Sequence, residues 1–233
     1  MYVLIYGAIF LIIIACVIPM STGVLAAVGM IFAVIAVIAI AKRNFDLKKS
    51  SLKRYGEDML IIQNVQEGGV IKLANVDGYD EDLELKVVGR NLYMEGDYAW
   101  YELECVRGDG EKVWVDVEDD DDLLVSVVLK KLNKVDVMES MPLSTIWEEE
   151  SGNVLYKQIK YYYKDCGDAI FYKHCDDKHK EKLRYFDFKN GNYLVSIEEW
   201  KNDDGKQDKL YYYSQIIRPS SITVYSTGRE GNK

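Results

Sequence analysis

Six residues have the types and spacing for ligand chemistry: Trp100, Glu102, Trp114, Glu118, Glu198 and Trp200. They fall in two related stretches, residues 100–118 and residues 185–200. Each stretch places two aromatics ahead of an acid, then a Gly turn, then a second run that reaches a Glu. An indole face attracts an organic cation through its quadrupole, and a carboxylate pairs with the same charge. The six are therefore candidate ligand-binding residues for a small organic cation such as a polyamine. Aromatics packed across neighbouring strands account for the same spacing, and the sequence favours that plainer reading.

Other chemistry is thinner. Cys166, His174, Cys175 and His179 are zinc-like ligand types. No CxxC or HxxxH pair frames them, and on a strand the adjacent His174 and Cys175 point to opposite faces. A buried thiol and solvated histidines in a Lys-rich turn is the better account, so no metal and no cofactor is assigned. The run Glu118–Asp122 lacks a D-x-D-x-D-G calcium loop and reads as a solvated connection. There is no GxSxG, no P-loop and no GxGxxG after a strand. Two histidines leave little for acid–base work near neutral pH. The expectation is a protein that is not an enzyme.

The elements that must position these residues are strands. Residues 100–105 and 112–117 flank the turn Arg107-Gly108-Asp109-Gly110, where Gly accepts positive φ. From residue 59 the texture is period two with β-branched and aromatic residues. Further strands are expected at residues 70–73, 83–88, 91–94, 123–129, 154–163, 169–172, 183–188, 193–200, 209–214 and 221–225. Asn190-Gly191 and residues 202–205 are hairpin turns by type. The runs Tyr161-Tyr162-Tyr163 and Tyr211-Tyr212-Tyr213 place Tyr on both strand faces. Residues 133–152 show no clear pattern beyond a connection at Met141-Pro142. No helical period is sustained after residue 60. The fold expected is mainly β: a small barrel-like or sandwich-like domain over residues 59–228, in two similar halves, about 59–132 and 153–228.

Ahead of it, residues 1–41 carry no charged side chain. Two apolar runs, 2–18 and 24–41, flank a short Pro- and Gly-containing segment. Each is near the lower limit of the roughly 17–25 residues of a spanning helix, so a transmembrane helical hairpin is expected. A signal peptide fits less well, since no Lys or Arg precedes the first run. Six basic residues within 42–54 mark residues 42–58 as a basic juxtamembrane linker. Such a flank stays inside. The chain is expected to pass twice through the inner or plasma membrane, both termini cytoplasmic, with membrane lipid as an integral contact.

The formal net charge is −9 although residues 42–54 are strongly basic, so the remainder is more acidic than the whole. That repels polyphosphate and argues against nucleic acid. Cys16 lies in the first apolar run, which leaves Cys105, Cys166 and Cys175 for the soluble part. An odd number without framework spacing fits a reducing compartment.

The β-rich part resembles the bacterial domain family DUF4178. The residues that carry this are Val88-Gly89, Trp100-Tyr101-Glu102-Leu103 and Trp114-Val115-Asp116-Val117-Glu118. A second block follows in Gly167-Asp168-Ala169, Tyr185-Phe186-Asp187, residues 194–200 and residues 216–224. The likeness spans roughly residues 60–225. It implies a β-rich domain with no assigned catalytic residue, and a genomic setting of membrane-stress and polyamine-related genes. The functional expectation is a membrane-tethered cytoplasmic interaction or scaffold module with a protein partner. The alternative is a sensor for a small organic cation, linked to membrane stress. A pocket ringed by Trp and Glu favours the sensor; an exposed strand edge or flat apolar patch favours docking.

Overall fold

The computed structural model describes residues 59–120, 122–201 and 207–228. In chain order the strands are β1 (Val70–Leu73), β2 (Leu83–Glu95), β3 (Tyr98–Arg107), β4 (Lys112–Asp119), β5 (Leu123–Leu132) and β6 (Val137–Glu139). A short helix α1 (Leu143–Glu149) precedes β7 (Asn153–Tyr156), β8 (Ile159–Tyr172), β9 (Lys180–Asn190), β10 (Tyr193–Lys201), β11 (Gln207–Ile217) and β12 (Ile222–Ser226).

All twelve belong to one sheet, in the order β12-β1-β2-β3-β4-β5-β11-β10-β9-β8-β7-β6. Every pairing is antiparallel, as expected where short turns join successive strands. A further pairing joins β2 to β8 through Leu92↔Tyr172, Tyr93↔Phe171 and Met94↔Ile170. That seam closes β2, β3, β4, β5, β11, β10, β9 and β8 into a ring of eight strands. Replacing β1–β5 by β7–β11, and β12 by β6, reproduces the same strand order from its other end. The two halves therefore share a topology.

Period-two alternation sends one side of each ring strand inward and the other outward. The outward side is the apolar one. On the first half Leu103, Cys105, Val113, Val115, Val125 and Val127 pack against Ile71 and Leu73 of β1. On the second half Phe186, Phe188, Val195, Ile197 and Tyr211 pack against Val154 and Tyr156 of β7 and against Leu143 and Ile146 of α1. These two cores lie outside the ring, each under its own flap of short strands, and a third, smaller apolar cluster around Tyr93, Ala169 and Leu183, with Trp100, Phe171, Tyr185 and Trp200, borders the interior.

The mainly β expectation holds, and the barrel half of "barrel or sandwich" describes the ring. The hairpin strands around residues 107–110 and at Asn190-Gly191 are found where expected. The turn expected at residues 202–205 lies outside the described residues. Residues 133–152 hold β6 and α1, which the sequence left unassigned. A seven-residue helix spans less than two turns, too few for a helical period to show.

The two-pass membrane placement is corrected. Among the described residues no helix is long and apolar enough to cross a membrane; the apolar residues there alternate along strands and fill the two cores. The segments on which that expectation rested, the 1–41 hairpin and the 42–58 linker, lie outside the described residues. It is withdrawn.

Candidate ligand cavity

The ring surrounds a half-open cavity of about 660 Å³ lined from all eight strands, within the size range of small-molecule sites. Eight-stranded barrels are wide enough to hold one small ligand. Ser126, Ser196 and Ser214 at inward positions leave room that larger side chains would fill. Gly167 instead makes room for the carboxylate of Glu95, which a Cβ there would overlap and which accepts a 2.6 Å hydrogen bond from the Tyr185 hydroxyl.

All six sequence-derived residues line this one cavity. The structure divides their roles. Trp100 stacks on Tyr93 at 5.1 Å and on Tyr98 at 5.6 Å, and meets Tyr185 edge-on. Its ring is part of the packing. The Trp200 indole N–H donates to Glu198 at 2.8 Å, which fixes that carboxylate. Trp114 lines the cavity, half-buried, and no aromatic ring among the described residues stacks on it. We expect Trp100→Ala to cost about 3 kcal/mol of stability in urea unfolding, as for large aromatics in packed sites. Trp114→Ala should cost less, about 1 kcal/mol, because the ring is half-buried and no aromatic stacks on it.

Alternation adds residues that the sequence reading passed over. Asp116 lies between Trp114 and Glu118 on the same face of β4, and Asp187 lies two residues beyond Tyr185 on β9. Glu102 and Asp116 are cross-strand partners on β3 and β4. Asn91 donates to Glu102 at 2.8 Å and to Glu104 at 3.0 Å; Ser126 donates to Asp116 at 3.2 Å; Ser196 donates to Asp187 at 2.7 Å. Each bond supplies a donor but no positive charge. Lys164 does supply one, with Nζ 3.7 Å from both Glu118 and Asp187.

Surrounding these acids with protein disfavours their charged forms. Burial pushes Glu198 up to about 8, aided by the like charge of Glu102. Burial raises Glu102 to about 7 against the pull of Asn91. Asp116 lies well above the usual carboxylate range, through burial and then Glu102, Glu118 and Glu198. Glu118 and Asp187 are raised by burial as well, with Lys164 opposing. The acidic run at Glu118–Asp122 is thus split: Glu118 ends the inward face of β4, while Asp120 is exposed beyond the strand.

The Cys and His residues do not converge. His174 and Cys175 lie in the turn expected there, both left-handed (φ 51° and 56°), so no strand alternation separates them. The His174 amide donates to Asn91, and Cys175 Sγ to the Arg90 carbonyl at 3.3 Å. His179 faces Asp176 within its own turn, and the Tyr163 hydroxyl donates to Cys166 Sγ. Among the described residues no three His, Cys, Asp or Glu side chains are grouped to hold a metal ion.

One family model matches, a domain of unknown function (DUF4178), over residues 82–213. The match runs from the start of β2 into β11, which takes in the ring together with β6, α1 and β7, and omits β1 and β12. It is narrower than the 60–225 span expected. No curated protein and no solved structure matches the chain. The matched span covers more than half of the sequence and carries both repeats of the ring, so the chain belongs to the DUF4178 family.

Proposed function

We propose that the ring is a binding module that takes a small organic cation into its cavity. The cationic head sits among Glu102, Asp116 and Glu198, and its carbon frame lies against Trp114. The observation that carries this is the imbalance of charge. Ten carboxylates and five lysines line one cavity; of the inward acids Glu102, Asp116, Glu118, Asp187 and Glu198, Lys164 pairs with two, and Lys131 acts on Glu198 only at longer range, so the charge is neutralised only in part. Without a cation such a cluster must hold protons; with one it can ionise and pair. The acids are not drawn together tightly enough to grip a bare metal ion, which suits a larger cation. An acidic cavity does not attract polyphosphate, so nucleic acid is not among the ligands proposed. Binding rather than catalysis is the activity proposed.

The test is calorimetry on the full chain at pH 8 and low salt, with butylamine, 1,4-diaminobutane and spermidine as probes. Saturable heat with at least one of them is expected, together with a change in Trp emission, weakening with salt, and loss on Glu102→Gln. Absence of saturable heat with all three would sink the proposal.

A second reading is a protein-docking module. It rests on the unpaired edge of the short strand β6 and on exposed Met138, Ile159 and Tyr162 around it. It requires Met138→Lys and Tyr162→Lys to abolish partner capture while Glu102→Gln leaves capture unchanged.

A further inference from the structure

Lys164 reaches the cavity by an irregularity. On β8 the pairing with β9 runs Tyr162↔Lys189 and Tyr163↔Phe188 and then skips to Asp165↔Asp187, leaving Lys164 as an extra residue. Bulges of this kind re-aim side chains. Here two successive residues, Lys164 and Asp165, both line the cavity, which plain alternation forbids. Glu118 lies two residues beyond Asp116 on β4, about 7 Å along a strand. Asp187 pairs across from Ser196, which lies two residues before Glu198 on β10. The acids therefore form two neighbouring groups: Glu102, Asp116 and Glu198, which Lys131 of the same lining faces only at longer range, and Glu118 with Asp187, bridged by Lys164.

We infer that Lys164 is a resident ammonium that sets the ligand's charge, filling the Glu118–Asp187 group so that the cavity selects a cation with one head over a diamine. This rests on the cation-binding reading above. Burial alone would discharge the Lys164 amine, but Asp187, Glu118 and Asp165 more than offset it, and its proton affinity stands above the ordinary lysine value. It is thus a fixed cation rather than a nucleophile. A ligand reaching both groups with two ammonium ends would meet the Lys164 charge where its second end must go. A monoamine with an apolar tail avoids that repulsion.

The experiment compares butylamine with 1,4-diaminobutane by calorimetry on the full chain, for the natural protein, Lys164→Arg and Lys164→Met. In the natural protein and in Lys164→Arg the monoamine should bind at least as tightly as the diamine. In Lys164→Met the ratio of diamine to monoamine affinity should rise about tenfold or more, as expected for a new desolvated ion pair. Loss of packing moves both affinities together and cannot move that ratio. A charge-balanced variant, Lys164→Met with Glu118→Gln and Asp187→Asn, removes the two acids left exposed by the first change. It should bind the monoamine without gaining the diamine preference. An unchanged ratio in Lys164→Met, with monoamine binding intact, overturns the role of Lys164 and leaves the cation-binding reading standing. Failure of every variant to bind either amine overturns both.

Discussion

Raising the pH from about 5.5 to 8 should destabilise the ligand-free ring by about 3 kcal/mol, opposite to the usual recovery of proteins from acid. The cause is the set of inward carboxylates. In the unfolded chain a Glu releases its proton near the ordinary value of 4.5, whereas the folded chain holds the Glu102 proton up to about 7 and the Glu198 proton up to about 8. Between those limits the native state binds more protons than the unfolded state. Stability then falls as pH rises, by at most roughly 1.4 kcal/mol per pH unit for each such group, and by about half of that where solvent in the cavity screens the charge. The stabilisation is complete below about pH 4.5 and is lost as the pH passes through the folded values. Asp116, Glu118 and Asp187 are raised in the same direction.

Urea unfolding of the full chain at the two pH values checks this. With a slope of about 2 kcal/mol per molar, the midpoint should be lower at pH 8 by 1 M or more. A midpoint that climbs with pH would show that the inward acids are already ionised and paired. In that case the charge imbalance on which the cation reading depends does not exist. A bound cation should flatten or reverse the dependence, because it stabilises only the folded, ionised form.

The alternation that marks residues 100–118 as strands is legible without coordinates; the meaning of its polar side is not. Period two fixes which residues share a face. In most antiparallel sheets the polar face meets water and the apolar face meets the core. Here the aliphatic face turns outward under β1, β12, β6, β7 and α1, and a face of acids and aromatics turns inward. Only the closing pairs Leu92↔Tyr172, Tyr93↔Phe171 and Met94↔Ile170 create that inside. They join residues nearly eighty apart, and nothing local in either segment announces the contact. Asp116 and Asp187 were within reach of the sequence, since each shares a face with a residue already singled out. Lys164 was not, because the bulge that aims it breaks the alternation. The aromatic residues also divide in a way their type cannot reveal: Trp100 is clasped by Tyr93 and Tyr98, while Trp114 lines the cavity with no aromatic ring among the described residues stacked on it.

Glu198→Gln should stabilise the ligand-free ring at about pH 8 by ~2 kcal/mol while weakening amine binding at least tenfold. The amide keeps an acceptor for the Trp200 indole, which donates to Glu198 in the natural protein, so the hydrogen bond survives and only the ionisable group is lost. A pKa moved from 4.5 to about 8 corresponds to about 4 kcal/mol of penalty at pH 8 relative to a neutral side chain. Glu198 keeps some contact with the cavity, where solvent screens its charge, and about half of that penalty is therefore expected. Near pH 5.5 the natural carboxyl is already neutral, and the same substitution should change stability by less than about 0.5 kcal/mol. Binding responds in the opposite sense. An incoming ammonium must find an ionised partner, so affinity for butylamine in the natural protein should rise several-fold per unit between about pH 6 and 8, with protons released to the buffer. In Glu198→Gln the slope should be shallower and fewer protons released. Calorimetry in two buffers of different ionisation enthalpy counts those protons directly. If Glu198→Gln is destabilising at pH 8, or if it leaves both affinity and proton release untouched, Glu198 is a structural acceptor for Trp200 and takes no part in holding a cation.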